Sequence, residues 1–129
     1  MMTDPIADLL SRIRNASLVR KPEVLLPYSN IKFAIAKILE RHGFVGGAEK
    51  IDQGMGDIRI RLKYGPDKEP AIRMLNRMSR PGCRIYHGWR DLPREDRSRL
   101  VILSTSQGVM AAAEARKRRL GGEMICEVL

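Results

Sequence analysis

The stretch Ser104-Thr105-Ser106-Gln107-Gly108-Val109 has the side chains best suited to engage another molecule. Three consecutive hydroxyls follow a short apolar run at 100–103, and each is both a donor and an acceptor. Gly108 lets another backbone come close. A serine becomes a nucleophile only beside an activating base that a third group orients. Neither histidine, His42 nor His87, falls in such a pattern, and no nucleophile elbow surrounds Ser104 or Ser106. A serine hydrolase is therefore a distant alternative, and no catalytic residue is assigned. Gly54 and Gly56 lack the third glycine and following helix of a dinucleotide site. Cys83 and Cys126 are far apart, lack the spacing of metal ligands, and are expected to be reduced packing residues. The rim at 104–108 is left with recognition by hydrogen bonding, and no cofactor or small-molecule substrate is expected.

The charge says what would be recognised. The chain has 24 Lys and Arg against 15 Asp and Glu, a formal net charge of +9 over 129 residues. Such an excess favours a polyanion. No apolar run approaches the roughly 20 residues of a spanning helix. No secretory or lipidation signal is visible, so an intracellular, membrane-free location is expected. Arg73, Arg77, Arg80, Arg84 and Arg90 follow one another with no acidic residue between them. Arg80 and Arg84 flank the reversal at Pro81-Gly82 beside Tyr86, an interleaving of cations and aromatics that suits phosphate and base contact. Tyr86 would either stack on a base or pack in a sheet with a wet hydroxyl, and Trp89 is expected to pack. Arg116-Lys117-Arg118-Arg119 would meet phosphate or simply complement a helix end. The glycines of Gly121-Gly122-Glu123 would cap a helix or form part of the rim. Glu123 would accept from a base amine or ribose hydroxyl, or anchor the loop internally.

The elements that must position these residues read as α+β in two small lobes. Residues 1–65 form an α/β lobe of helix, strand, helix, strand and strand. Residues 66–129 form a β-rich, RNA-binding lobe with one short helix. Asp4-Pro5 starts the first helix, with stripe Ile6, Leu9, Leu10 and Ile13 and with Arg12 and Arg14 off it. Ser29 caps a second helix with stripe Ile31, Ala34, Ile35, Ile38 and Leu39, ended by Gly43. Its cations Lys32, Lys37 and Arg41 are too few for duplex-DNA binding. A turn is expected at 53–57, then a strand alternating Ile58, Ile60 and Leu62 with Arg59, Arg61 and Lys63. Residues 71–79 suit helix or strand, and the Pro81-Gly82 reversal favours strand. A helical turn is expected from Asp91-Leu92-Pro93, a strand over 100–106, a helix over 111–120 and a final strand over 123–129.

Asp4-Pro5-Ile6-Ala7-Asp8, Arg12-Ile13-Arg14-Asn15, Ser79-Arg80-Pro81-Gly82, Arg84-Ile85-Tyr86, Ser104-Thr105-Ser106, Gly108-Val109-Met110 and Gly121-Gly122-Glu123 occur in order. Together they resemble the family of the eighth protein of the bacterial-type small ribosomal subunit, nearly end to end. The resemblance implies a primary ribosomal-RNA-binding protein, not an enzyme. It would bind an irregular helix of the central domain of small-subunit ribosomal RNA and help build the platform. Implied neighbours are ribosomal proteins five and twelve. An alternative is repression of its own operon messenger RNA. The implied location is the ribosome, cytoplasmic or in an organelle stroma or matrix. The implied RNA-binding set is Ser104, Thr105, Ser106, Gln107, Gly108, Gly122, Glu123, Arg80, Arg84, Tyr86, Arg14 and Lys32. The chain departs from the family pattern at four places. Gln107 replaces a usual cation, Ala111-Ala112 replace a capping Thr-Asp pair, the turn at 97–99 is a residue short, and Cys83 follows Pro-Gly.

Overall fold

Asp4 caps helix α1 (Pro5–Leu18) by accepting a hydrogen bond from the Ala7 amide at 3.2 Å, with Pro5 at the first helical position. The computed structural model describes residues 4–51, 56–96 and 98–129. Residues 53–55 of the expected turn, and Arg97, lie outside them. Two units divide the chain, Met1–Arg73 and Met74–Leu129, each with its own antiparallel sheet.

In the first unit α1 buries Leu9, Leu10, Ile13 and Ala16. Ser29 caps α2 (Asn30–Arg41), whose buried residues are Lys32, Ile35, Ala36, Ile38 and Leu39. Ile31 and Ala34 are thus only half-buried, and a lysine takes a place in the stripe. The Lys32 ammonium is held inside by Asp8 Oδ2 at 3.0 Å and the Pro27 carbonyl at 3.2 Å. Arg12 binds the same carboxylate at 2.9 Å, and hydrogen bonding from Arg12 holds the Asp8 carboxyl below its ordinary range against the opposing effect of burial. Strands β1 (Glu23–Pro27), β2 (Val45–Ile51) and β3 (Asp57–Leu62) pair in the order β1-β3-β2. Ile58 and Ile60 are fully buried, and Arg59 and Arg61 alternate with them as expected.

The second unit orders its strands β4-β8-β6-β7, with β5 also paired to β8. Their ranges are β4 Leu75–Arg77, β5 Tyr86–His87, β6 Leu100–Thr105, β7 Gly108–Ala111 and β8 Gly122–Val128. The ambiguous segment at 71–79 therefore contains a strand. Strand β7 was not anticipated and takes Ala111 from the expected helix, which is α3 (Ala112–Lys117) and closes early at Arg118 and Arg119. The expected turn after Asp91 lies earlier, a 3₁₀ turn at Trp89–Asp91 that ends before Leu92. Cys126 is buried, and burial pushes its thiol up to about 12. Cys83 is exposed, contrary to the packing role expected of it. The reversal Arg80-Pro81-Gly82-Cys83 is closed by reciprocal backbone bonds of 3.0 and 2.9 Å, which sets Cys83 at a hairpin tip.

Helix α3 begins at Ala111 with no cap from its own first residues. A carboxylate from the preceding loop replaces it. Glu95 Oε1 accepts from the Ala113 amide, and Oε2 accepts from Val101 of β6 at 3.1 Å. Arg116 ties the helix to the same loop through the Leu92 and Pro93 carbonyls at 2.7 and 3.1 Å. Glu95→Ala should therefore lower stability in denaturant unfolding by about 1–2 kcal/mol, as loss of a helix cap does. Glu127 Oε1 accepts from Asn76 at 3.1 Å, and Oε2 accepts from Arg99 at 2.9 and 2.7 Å. Hydrogen bonding from Asn76, then from Arg99, keeps this carboxyl below its ordinary range. A lowered folded-state value stabilises above the ordinary glutamate value and ceases to as pH falls through the lowered one. Glu127→Gln should cost about 1 kcal/mol at pH 7, with the difference closing below about pH 4 in parallel unfolding titrations.

Candidate nucleic-acid interface

Strands β6 and β7 form a hairpin whose end pair is Thr105 and Gly108, so the hydroxyl stretch lies at its tip. Ser104 and Thr105 belong to the strand itself, and Ser106 and Gln107 make the turn. Gly108 takes φ +113°, and this residue must be glycine-like for the return strand to start there. Thr105 Oγ1 donates to the Gly108 carbonyl at 2.8 Å and accepts from the Gln107 amide at 3.1 Å. One of the three hydroxyls thus serves the turn itself. The Ser104 and Ser106 hydroxyls have no partner among the described residues.

Register places these groups in a row. Val109 opposes Ser104, Ser104 opposes Glu123, and Glu123 opposes Tyr86, across β7, β6, β8 and β5. Directly opposed residues share a face, so all four side chains project together. The next row, Met110, Leu103 and Met124, faces the other way into a core cluster with Leu92, Val101, Ala112 and Ala115. Tyr86 is 64% exposed, which fits a ring offered outward rather than packed in the sheet. Gly121 and Gly122 do not cap the helix as one reading expected, since α3 closes earlier, at Arg118 and Arg119. A Cβ on Gly122 would lie 1.9 Å from the Ser104 carbonyl, and one on Gly121 would lie 2.5 Å from the His87 carbonyl. Only hydrogen at these Cα atoms lets β8 approach its neighbours so closely.

The charged residues differ in what they are bound to. Arg84 reaches Glu123 at 3.2 Å, so Glu123 anchors this cation internally. The side chain of Arg80 is exposed and has no partner among the described residues. Arg118, absent from the expected set, reaches the rim from α3. It binds Glu114 at 2.8 Å and donates to Gln107 Oε1 at 3.3 Å. A guanidinium thereby stands beside the residue where a cation was expected. The signal for it lies outside 104–109, in the basic run at 116–119, because the contact spans the hairpin and the helix. Buried Ser79, 3% exposed, was also missed as a positioning residue. Its Oγ accepts from the Ile85 amide at 2.8 Å and donates to the Ile85 carbonyl at 3.2 Å, bracing the segment that delivers Arg84 and Tyr86. Arg14 is exposed on α1 and Lys32 is the buried lysine above, and both belong to the first unit.

Residues 4–129 match the family model described as ribosomal protein S8. The chain is 53% identical over 130 residues to "Small ribosomal subunit protein uS8" of Caldanaerobacter subterraneus subsp. tengcongensis, covering 99% of this chain and 98% of that one. It is 49% identical to the protein of that name from Thermoanaerobacter pseudethanolicus over 99% of this chain and 98% of that one. The corresponding figure for Thermus aquaticus is 47%, over 99% of each. Gly122→Ala should force β6 and β8 apart at the rim. A lowered melting temperature and weakened RNA binding are expected together, whereas unchanged values of both would show that the close approach is dispensable.

Proposed function

This chain belongs to the ribosomal protein S8 family, and from that membership we propose that it is an RNA-binding constituent of the small ribosomal subunit, gripping an imperfectly paired stem with the second-unit rim. Members of this family are structural proteins of the ribosome, not enzymes. The observation that carries the RNA-reading role is the pair of unpartnered hydroxyls, Ser104 and Ser106, on a hairpin tip beside the Arg118 guanidinium. Hydroxyls are both donors and acceptors, so they suit base edges and ribose 2′-hydroxyls alike. A regular A-form helix hides its major groove, so recognition falls on bulges and shape. Arg80 and Arg118 contribute phosphate attraction. Tyr86 offers a face for stacking beside the Arg84–Glu123 pair. Gly108 and Gly122 hold the backbone in place, and Thr105 and Gln107 close the turn. Arg14 remains an accessible cation of the first unit, while Lys32 acts through the packing of α1 and α2.

The finer reading follows the family resemblance. The target is an irregular helix in the central domain of small-subunit ribosomal RNA, binding helps to build the platform, and ribosomal proteins five and twelve are neighbours. Binding titrations on the central-domain stem and on a perfect duplex of equal length test the reading role. Ser104→Ala and Ser106→Ala should each weaken cognate binding by about two- to tenfold, one hydrogen bond's worth, and leave duplex binding nearly intact. Thr105→Val should reduce stability more than discrimination, since its hydroxyl closes the turn. Equal losses on both RNAs from the two serine variants would reject the role. Release from small subunits in a high-salt wash, with retention on the operon message, would favour the repressor instead.

A further inference from the structure

Beyond the rim, the end of α3 presents a feature that its own backbone resists. The helix closes through Arg119 N–H to the Arg116 carbonyl at 3.1 Å and Leu120 N–H to the Ala115 carbonyl at 2.9 Å. This closure puts Arg119 at φ +56°, the left-handed position where glycine is strongly preferred. An arginine there carries a conformational cost. Strain of this kind, when retained, points to a use for the side chain. The Arg119 guanidinium lies 5.8 Å from the centre of the Trp89 ring, and the Arg90 guanidinium lies 5.0 Å from the same ring. Trp89 is half-buried and packs against the core cluster, so the ring is a fixed support rather than a loose surface group.

Both guanidiniums lack a carboxylate or carbonyl partner among the described residues. In the same unit Arg84, Arg99 and Arg118 are each matched to a glutamate. A guanidinium resting on an aromatic face keeps its N–H edges directed outward, and its planar fork fits phosphate oxygens. Trp89 packs on the core side of the sheet, opposite the face of Ser104, Glu123 and Tyr86, but borders the same end of β8. Strand β5, two residues before Trp89, pairs with β8 at Gly122 and Glu123, the two residues beside Ser104.

We propose that Arg90, Trp89 and Arg119 form a phosphate clamp that grips the RNA backbone next to the stem segment contacted by the rim. This inference rests on the RNA-binding reading above and adds a second, sequence-independent contact to it. The ring holds two cations in place before RNA arrives, so binding does not have to order two long side chains.

Arg119→Gly separates the clamp from a structural role because it acts on fold and binding in opposite directions. The substitution relieves the left-handed strain and removes one guanidinium. The expected result is a melting temperature equal to or above that of the unaltered protein. Affinity for the central-domain stem should fall roughly three- to tenfold at moderate salt, and the salt dependence should flatten by about one unit, as for loss of one phosphate contact. Arg90→Ala should flatten it similarly. An unaltered slope and affinity in both variants, as an acidic protein occupant would leave them, overturns the clamp while the rim reading stands. If the unaltered protein fails to prefer the stem over a perfect duplex, the rim reading fails and the clamp with it.

Discussion

The close approach of strands β6 and β8 is the constraint on which the candidate interface depends. At Ser104 and Glu123 the two strands pair directly, and Gly122 presses against the Ser104 carbonyl so tightly that no side chain fits. That approach sets where the hairpin tip stands. It also fixes the row Val109, Ser104, Glu123 and Tyr86 by register alone, because opposed residues in a sheet share a face. Behind this row, Leu103, Met110 and Met124 bury the opposite side. A one-residue slip would exchange the two rows, placing apolar side chains in water and hydroxyls in the core. The same packing that stabilises the unit therefore selects which groups a partner meets.

Charge is distributed less simply than the net value suggests. Arg12, Arg59, Arg61, Arg84, Arg99 and Arg118 all stand near carboxylates. Pairs cancel one for one, so the excess of +9 must reside on cations without a carboxylate. Several of these are committed elsewhere, as Arg116 is to two carbonyls and Arg20 is to the Lys68 carbonyl. Among the described residues of the second unit, the side chains of Arg80, Arg90, Arg94, Lys117 and Arg119 remain outward with no carboxylate or carbonyl partner. The long-range field attracts a polyanion, and these few positions determine where it would be held. Arg118 is a mixed case, paired with Glu114 yet directed at Gln107. Its contribution beside the rim is partly neutralised, which suits a contact that also fixes the hairpin to the helix.

Local deficits in this chain are met from a distance. Helix α3 opens at Ala111 without a capping side chain, and Glu95 supplies the acceptor from the preceding loop while also binding β6. One carboxylate thus joins three pieces of the unit. Ser79 does similar work for the reversal before Tyr86, with its single oxygen serving both backbone groups of Ile85. Lys32 does so in the first unit, where its ammonium joins α1, α2 and the end of β1.

Much was legible from residue order alone. The α+β class, the caps at Asp4 and Ser29, the alternation at Ile58 and Ile60, and the family resemblance all rest on short-range patterns, where neighbouring residues fix the local backbone. Strand β7 was missed because Gly108 read as an end rather than a turn, and turn geometry depends on what pairs beyond it. Lys32 read as an outward cation because periodicity sees hydrophobicity, not an acceptor 24 residues away on another helix. Cys83 read as packing on the general tendency of free cysteine to be buried, although the legible reversal at Pro81-Gly82 already set it beside a hairpin tip. The role of Glu95 was hidden because its partners lie far along the chain, whereas the basic run at 116–119 was legible as a candidate phosphate contact and only its individual partners were not. Sequence by itself determined which residue types and local conformations were present. Tertiary structure alone decided which hydroxyls and guanidiniums remain unpartnered, because that depends on groups distant in the chain reaching within hydrogen-bond length.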